Sequence, residues 1–428
     1  MLFHRRNLLA LAVALLATAG LGCSSDREAG ISQDADADGT SSLTTQGITD
    51  TEIVLGAHFP LSQTTAAVYG SMSQGLEAYF ADVNAKGGVY GRKIRLLIAD
   101  DHYNPADALE GVRSLVEQDK VFAIVGGLGD APHFTVARYL EEKGIPDLFF
   151  AAGMPELTDP VVKSRFAGLT SDYRTESKAG AKYLAEHYPG KRLGILTQSD
   201  EAGERGEQMA VEFLEEFHSG IQVVGVEKYD PTAVDVTAQA QRLKSANPDV
   251  VALLAHSGVT AAFIKTAREI LNWDVPFYTP SVSSNEITVA LAGEENAEGL
   301  VSPLYKVLVT QTELPAVQEH LRIMRQYKPN VTPTNITLTG QGLAELTVKA
   351  FQDAGPNPTA ESVVAAVEAM RDFCCTVCLA PINYGPEDHR GTEAFTFGQV
   401  RDGIWVHLDY TVNYESTPGQ KTSCVQKN

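Results

Sequence analysis

Gly126, Gly127 and Gly129, followed at once by Asp130-Ala131-Pro132, are the residues of this chain whose types and spacing best suit holding a ligand. They follow the apolar run Val121 to Val125, which has the length and branching of a buried strand, and precede a helical pattern ending near Lys143-Gly144. A strand, a glycine turn and a helix start aim free backbone N–H groups and the positive end of a helix dipole at whatever lies over the turn. A small anion such as a carboxylate would be held there. Gly127-Leu128-Gly129 also opens like a dinucleotide fingerprint, but Pro132 stands where that fingerprint needs a glycine for close helix–strand packing. The plain alternative is a loop that only turns a corner.

Other reactive side chains say less. His256 follows an apolar run and could donate to a ligand, or be a solvated loop histidine. Asp200, Glu201, Glu204 and Glu207 read as a solvated loop and helix start rather than a site. Cys375 and Cys378 have zinc-ligand spacing, but no matching second pair exists, so no metal is expected. No nucleophile–His–acid grouping with recognisable local context and no zinc protease motif is present, so the chain reads as a non-enzyme with no cofactor.

The elements that position these residues alternate between strand and helix. Ile53 to His58, Lys93 to Ala99, Val121 to Val125 and Asp147 to Ala152 read as strands, with helical patterns at Ser71 to Lys86, Pro105 to Asp119 and after Pro132. Repeated βα units of this length imply a parallel sheet covered on both faces. Past Phe166 the pattern restarts, with strands at Arg192 to Thr197, Ile221 to Val226, Asp249 to Leu254 and Pro276 to Thr279. Two such runs predict two lobes. Helical patterns return at Leu314 to Tyr327, Thr339 to Ala354 and Ala360 to Arg371, before a hairpin-like end at Ala394 to Phe397 and Gly403 to Val406.

The N-terminus carries an address. His4-Arg5-Arg6 is a basic start, and the apolar stretch Leu8 to Leu21 is shorter than the ~20 residues of a membrane span, so residues 1–22 read as an export signal. It ends Ala19-Gly-Leu-Gly-Cys23, which resembles a bacterial lipobox whose cysteine is acylated; Arg5-Arg6 also suggests twin-arginine export. Residues 23–47 are polar and rich in Ser, Asp, Gly and Thr, a leash that cannot bury enough surface to offset its ordering entropy. The protein is therefore expected outside the cytoplasm, held to the membrane only through lipid on Cys23. A net charge of −20 argues against nucleic acid and against an anionic membrane surface. In an exported protein Cys374, Cys375, Cys378 and Cys424 read as disulfides with three possible pairings. The polar tail 413–428 has little reason to order by itself. A bond from Cys424 to one member of the cluster is expected to fix it.

Several motifs in order carry a resemblance: Gly56-Ala-His-Phe-Pro-Leu-Ser62, Tyr69-Gly70, Val83-Asn-Ala-Lys-Gly-Gly-Val-Tyr-Gly-Arg-Lys93 and Asp100-Asp101. Pro155-Glu-Leu-Thr158, Asn247-Pro-Asp-Val-Val251 and Ile382-Asn-Tyr-Gly-Pro-Glu-Asp-His-Arg-Gly391 add to it. The chain resembles the branched-chain amino-acid-binding proteins, type I periplasmic substrate-binding proteins that serve ABC importers. The resemblance implies an α/β fold of two Rossmann-like lobes with parallel sheets, joined by three hinge crossings near Thr170-Ser171, Val301-Ser302 and Ile382-Asn383. Lobe one would be 48–171 plus 302–382, and lobe two 172–301 plus 383–412. It implies a small-molecule ligand in the cleft and an ABC permease as partner. A sensor signalling occupancy to a membrane partner would use the same fold.

The resemblance also places site residues. In the family, the loops matching Gly126–Ala131 and Ala151–Met154 grip the ligand carboxylate through N–H groups and small hydroxyls, so Gly129, Asp130 and Ala131 are candidates. Asp130 sits at a family serine, Ala151 keeps the family alanine and Gly153 replaces a threonine. Tyr69 matches a family tyrosine on the pocket wall, with Phe59 and Tyr305 as weaker walls. Ser281 stands where the amino-acid binders keep the glutamate that holds the ligand ammonium. An unpaired buried ammonium is costly, so tight binding of leucine, isoleucine or valine is not expected. A neutral amide, a polar aromatic or a cation meeting Asp130 is.

Overall fold

The structure is a computed structural model that describes residues 46–62, 68–230, 235–414 and 423–424. The export signal, Cys23 and nearly all of the leash lie outside these residues. In the first lobe, β1 (Glu52–Phe59), β2 (Lys93–Asp100), β3 (Ala123–Val125), β4 (Asp147–Phe150) and β5 (Arg165–Ala167) form one parallel sheet in the order β2-β1-β3-β4-β5. Helices α1 (Ser71–Ala85), α2 (Pro105–Glu117) and α3 (Asp130–Lys143) connect the first four strands. β1 is buried on both faces beyond its first residue, as a central parallel strand between helix layers must be.

The second lobe begins with α4 (Tyr173–His187), then β6 (Arg192–Gln198), α5 (Glu201–Glu216), β7 (Gln222–Tyr229), α6 (Thr237–Ala246), β8 (Val250–Leu253) and α7 (Ser257–Lys265). It continues through β9 (Phe277–Tyr278), α8 (Glu286–Ala292), α9 (Glu294–Ala297) and β10 (Val301–Leu304). The chain then returns to the first lobe with α10 (Pro315–Tyr327) against α1, α11 (Asn335–Ala354) against α1 and β4, and α12 (Ala360–Glu368) against α11. It ends as β11 (Ala394–Arg401) and β12 (Ile404–Asn413), an antiparallel hairpin that completes a seven-stranded sheet, β12-β11-β10-β9-β8-β6-β7.

Two details differ from the sequence reading. α11 starts at Asn335, four residues before the expected Thr339, because Thr334 and Thr337 cap it reciprocally. The crossing expected near Val301-Ser302 falls inside β10, which pairs with β9 at Val301 and with β11 from Val301 to Leu304. No described helix is long and apolar enough to cross a membrane.

Candidate functional site

The strand-end loops of the two lobes meet around Asp130. Gly129 adopts φ 99° and ends the turn, leaving Asp130 as the first residue of α3. The Asp130 carboxylate folds back over the neighbouring loop, where Oδ1 accepts from the Gly153 N–H at 2.8 Å. Its Oδ2 accepts from the Tyr173 hydroxyl at 2.6 Å. Tyr173 opens α4, so this bond joins the lobes. Burial pushes the Asp130 pKa up, and Tyr173 and the Gly153 N–H oppose the shift.

These bonds alter the expected anion site. The Leu128 N–H donates to the His58 carbonyl (3.2 Å), the Gly129 N–H to the Ala151 carbonyl (3.1 Å) and the Ala151 N–H to the Gly127 carbonyl (2.8 Å). With the Gly153 N–H on Asp130, these loop donors are engaged inside the protein. A side-chain carboxylate already occupies part of the place where a ligand carboxylate was expected.

Two glycines in these loops make room for aromatic rings. A Cβ on Gly129 would lie 2.5 Å from the Tyr103 ring, and one on Gly153 would lie 2.3 Å from the Tyr173 ring. Either contact is impossible without moving a ring, which gives Gly153 a packing reason to replace a larger residue. The Tyr103 N–H donates to Asp101 Oδ1 at 2.8 Å, and the residue keeps 39% of its surface exposed. Ala131 is exposed and Ala151 buried.

A second contact between lobes is made by Tyr69. Its hydroxyl lies 3.0 Å from Ser257 Oγ and accepts from the Ser257 N–H at 3.2 Å, at the first residue of α7. The Val282 carbonyl is 3.4 Å away. His256, one residue before α7, sets its ring edge-on to Tyr229 with centroids 6.3 Å apart. Phe59 is fully buried in the core, so it is not a ligand wall. Tyr305 is likewise core, with the Lys306 ammonium 4.3 Å from its ring centre.

Ser281 is buried and does not face the cleft alone. Its N–H donates to Glu176 Oε1 at 2.5 Å and its hydroxyl to Oε2 at 2.9 Å. A carboxyl group therefore does reach the Ser281 position, from α4 rather than from its own loop. Burial pushes the Glu176 pKa up to about 7, against the two Ser281 donors. Tyr173 and Glu176 lie three residues apart in the first turn after the Asp172 N-cap, so they share one helix face. That spacing was visible in the sequence, but nothing local tied it to Asp130 or Ser281.

Behind the glycine turn lies a buried polar chain. His58 Nδ1 is 2.7 Å from Asp101, His58 Nε2 is 3.0 Å from His133 Nδ1, and His133 Nε2 is 3.1 Å from Asp147. Burial lowers the His58 pKa while Asp101 raises it. The chain ties the ends of β1 and β2 to the first turn of α3 and to β4, and so fixes the loops that carry Asp130 and Tyr103. Disulfides join Cys374 to Cys424 and Cys375 to Cys378, and no group of metal-ligating side chains occurs among the described residues.

Comparison with known proteins adds to this geometry. A family model described as periplasmic binding protein matches residues 52–403. The Leu/Ile/Val/Thr-binding protein of Salmonella typhimurium (strain LT2) is 29% identical over 238 residues, 55% of this chain and 63% of that protein. The Leu/Ile/Val-binding protein of Escherichia coli (strain K12) is 28% identical over the same length and shares. The chain thus spans little more than half the length of the curated relatives it matches. Among solved structures, a branched chain amino acid ABC transporter protein from Thermus thermophilus with bound valine aligns with TM-score 0.76 at 20% identity, over 85% of this chain and 97% of that one. A fatty acid ABC transporter substrate-binding protein from Thermomonospora curvata aligns with TM-score 0.76 at 21% identity, over 87% and 95%. These structures share the fold while their descriptions name unlike ligands.

Proposed function

The chain belongs to the periplasmic binding protein family, and from that premise we propose that it is an exported lipoprotein that captures a small solute between its lobes and delivers it to an ABC importer. The observation that carries this reading is the pair of hydrogen-bonded contacts between lobes, Asp130–Tyr173 and Tyr69–Ser257, both made by loops at strand ends. Ligands of parallel α/β sheets bind outside the carboxyl ends of the strands. Here two such edges face each other, and the two links named are made by side-chain hydroxyls that a solute could replace.

A thermal-shift screen across small metabolites, followed by calorimetry, tests solute capture. One ligand per chain is expected, and a screen in which no solute shifts the melting temperature overturns the reading. The tether is tested separately. Cys23→Ser should release the protein from membrane fractions, and a variant that stays membrane-bound defeats the lipid anchor.

Leucine, isoleucine and valine are not the expected ligands, although several relatives are named for them. The reason differs from the one first drawn from Ser281, since Glu176 brings a carboxyl group to that position. The obstacle is Asp130, whose carboxylate takes the Gly153 N–H and would repel a ligand carboxylate laid over the turn. Calorimetry should detect no leucine binding at micromolar concentration.

A further inference from the structure

We propose that His58 and His133 together hold one proton more than two neutral imidazoles, a buried imidazolium that locks the glycine turn and is released as pH rises. The first support is a count of protons along the contacts behind the turn. His58 Nδ1 faces Asp101 at 2.7 Å, His58 Nε2 faces His133 Nδ1 at 3.0 Å, and His133 Nε2 faces Asp147 at 3.1 Å. A carboxylate only accepts, so each end of the chain asks for a proton on the ring nitrogen that meets it. The two nitrogens in the middle need another proton between them. Three protons are thus required on four ring nitrogens, where two neutral rings carry only two. With two, one contact would set lone pair against lone pair in an interior with no solvent to relieve it.

The second support is charge. His58, Asp101, His133, Asp147 and Arg165 are all buried. Arg165 Nε lies 3.8 Å from Asp147, and its Nη2 lies 3.1 Å from the half-exposed Glu141 of α3. Two nearby carboxylates are turned elsewhere, Asp130 to Gly153 and Tyr173, and Asp100 to the Leu61 N–H and the Ser62 hydroxyl. Within the buried set two carboxylates therefore stand against one guanidinium, and the extra proton makes the set neutral. Asp147 needs that proton most. Neither of its oxygens has a well-aligned hydrogen bond, so it depends on the charges of Arg165 and the ring, whereas Asp101 also accepts from the Tyr103 N–H. An imidazole is a stronger base than a carboxylate, which keeps the proton on the rings. Burial alone favours neutral His58 and Asp101 opposes it, so the proton belongs to the pair rather than to one ring.

The third support is contact with the turn. A Cβ on Gly127 would lie 2.6 Å from both His58 Nε2 and His133 Nδ1, so the turn's backbone rests on the bond between the rings. The Leu128 N–H donates to the His58 carbonyl at 3.2 Å, and the His133 N–H to the Gly129 carbonyl at 2.9 Å. Rings that part after losing the proton must push on Gly127 or on the first turn of α3, which carries Asp130.

The test is nuclear magnetic resonance of the purified full chain with isotope-labelled histidine, the pair being identified by coupling across the bond between the rings. At neutral pH three of its four ring nitrogens should carry protons, and a count of two overturns the proposal. Asp147→Asn removes one buried anion, so its pair should carry two protons at the same pH. Three protons in that variant would overturn the charge argument, and if the variant does not fold, the wild-type count still decides. As pH rises the third proton should leave. Hydrogen-exchange protection of the Leu128 N–H, corrected for the intrinsic rate, should then fall on the order of tenfold, while the Leu254 N–H of the second lobe keeps its protection. A third proton retained wherever the chain stays folded overturns the release, and unchanged protection at Leu128 overturns the lock.

Discussion

Glu176 shows how one residue couples the site to pH. Its carboxyl group is 4% exposed, and burial lifts its pKa from an ordinary value near 4.5 to about 7. Between those values the folded chain holds a proton that the unfolded chain releases, so this group's contribution is fully present below pH 4.5 and is lost as pH rises through about 7. The slope is at most about 1.4 kcal/mol per pH unit. Glu393, lifted to about 7 by burial despite Arg390 beside it, adds a slope of the same sign. These two groups pull the melting temperature down between pH 5 and pH 8, while His320 and His407, whose pKa burial lowers to about 4, pull it up as pH rises toward the ordinary histidine range. Relative to the wild type, Glu176→Gln should therefore remove part of the downward pull and stabilise the chain at pH 8. A variant with an unchanged pH profile would show that Glu176 does not carry the proton. The sequence exposed this site only in part. Asp130 stood out because it follows a glycine turn, which is a local signal. Its partner Tyr173 and the Glu176–Ser281 pair join residues 43 and 105 positions apart, and such contacts leave no periodicity to read.

At the scale of elements, the strand and helix patterns were legible because each depends on neighbours in sequence. The first lobe's central strands β1, β3 and β4 are parallel and buried, so they read as largely apolar runs, and its helices announce themselves by caps such as Asn104 before Pro105. β10 was harder. Val301-Ser-Pro-Leu304 has a proline and a serine, yet it pairs with strands on both sides; Pro303 lies opposite Phe397 in the antiparallel ladder. Cys424 is bonded to Cys374, and its N–H donates to the Leu379 carbonyl at 2.8 Å. That disulfide spans 50 residues, while Cys375–Cys378 spans 3. In the chain-entropy model a loop of the longer kind contributes about 3–4 kcal/mol and the short one much less. Cys424→Ser should lower the melting temperature by several degrees, and opening the Cys375–Cys378 bond by paired serine substitution should change it little. Equal effects from the two would mean that loop length is not what matters here.

For the whole molecule, the links between the lobes include polar contacts among the described residues. Tyr69–Ser257 and Asp130–Tyr173 lie on the cleft side, joined by Asn335 of α11 donating its N–H to Glu286 of α8 at 3.2 Å and by the Arg205–Glu156 ion pair. Polar links of this kind, part-buried apart from the Arg205–Glu156 pair, each contribute on the order of a kcal/mol, so the arrangement sits close in energy to one in which the lobes part. A solute bound between them stabilises closure by the difference in its contacts with the two states, and a weak intrinsic closure makes that difference decisive. Tyr69→Phe together with Tyr173→Phe removes both cleft-side hydroxyls and leaves the rings in place. X-ray scattering of the ligand-free protein should then report a larger radius of gyration for the double variant than for the wild type, whose compact body of this length is expected near roughly 21 Å. Each single variant should fall between. If the double variant scatters like the wild type while its melting temperature is unchanged, these two hydroxyls do not hold the lobes together, and closure must rest on the links at Glu286 and Glu156.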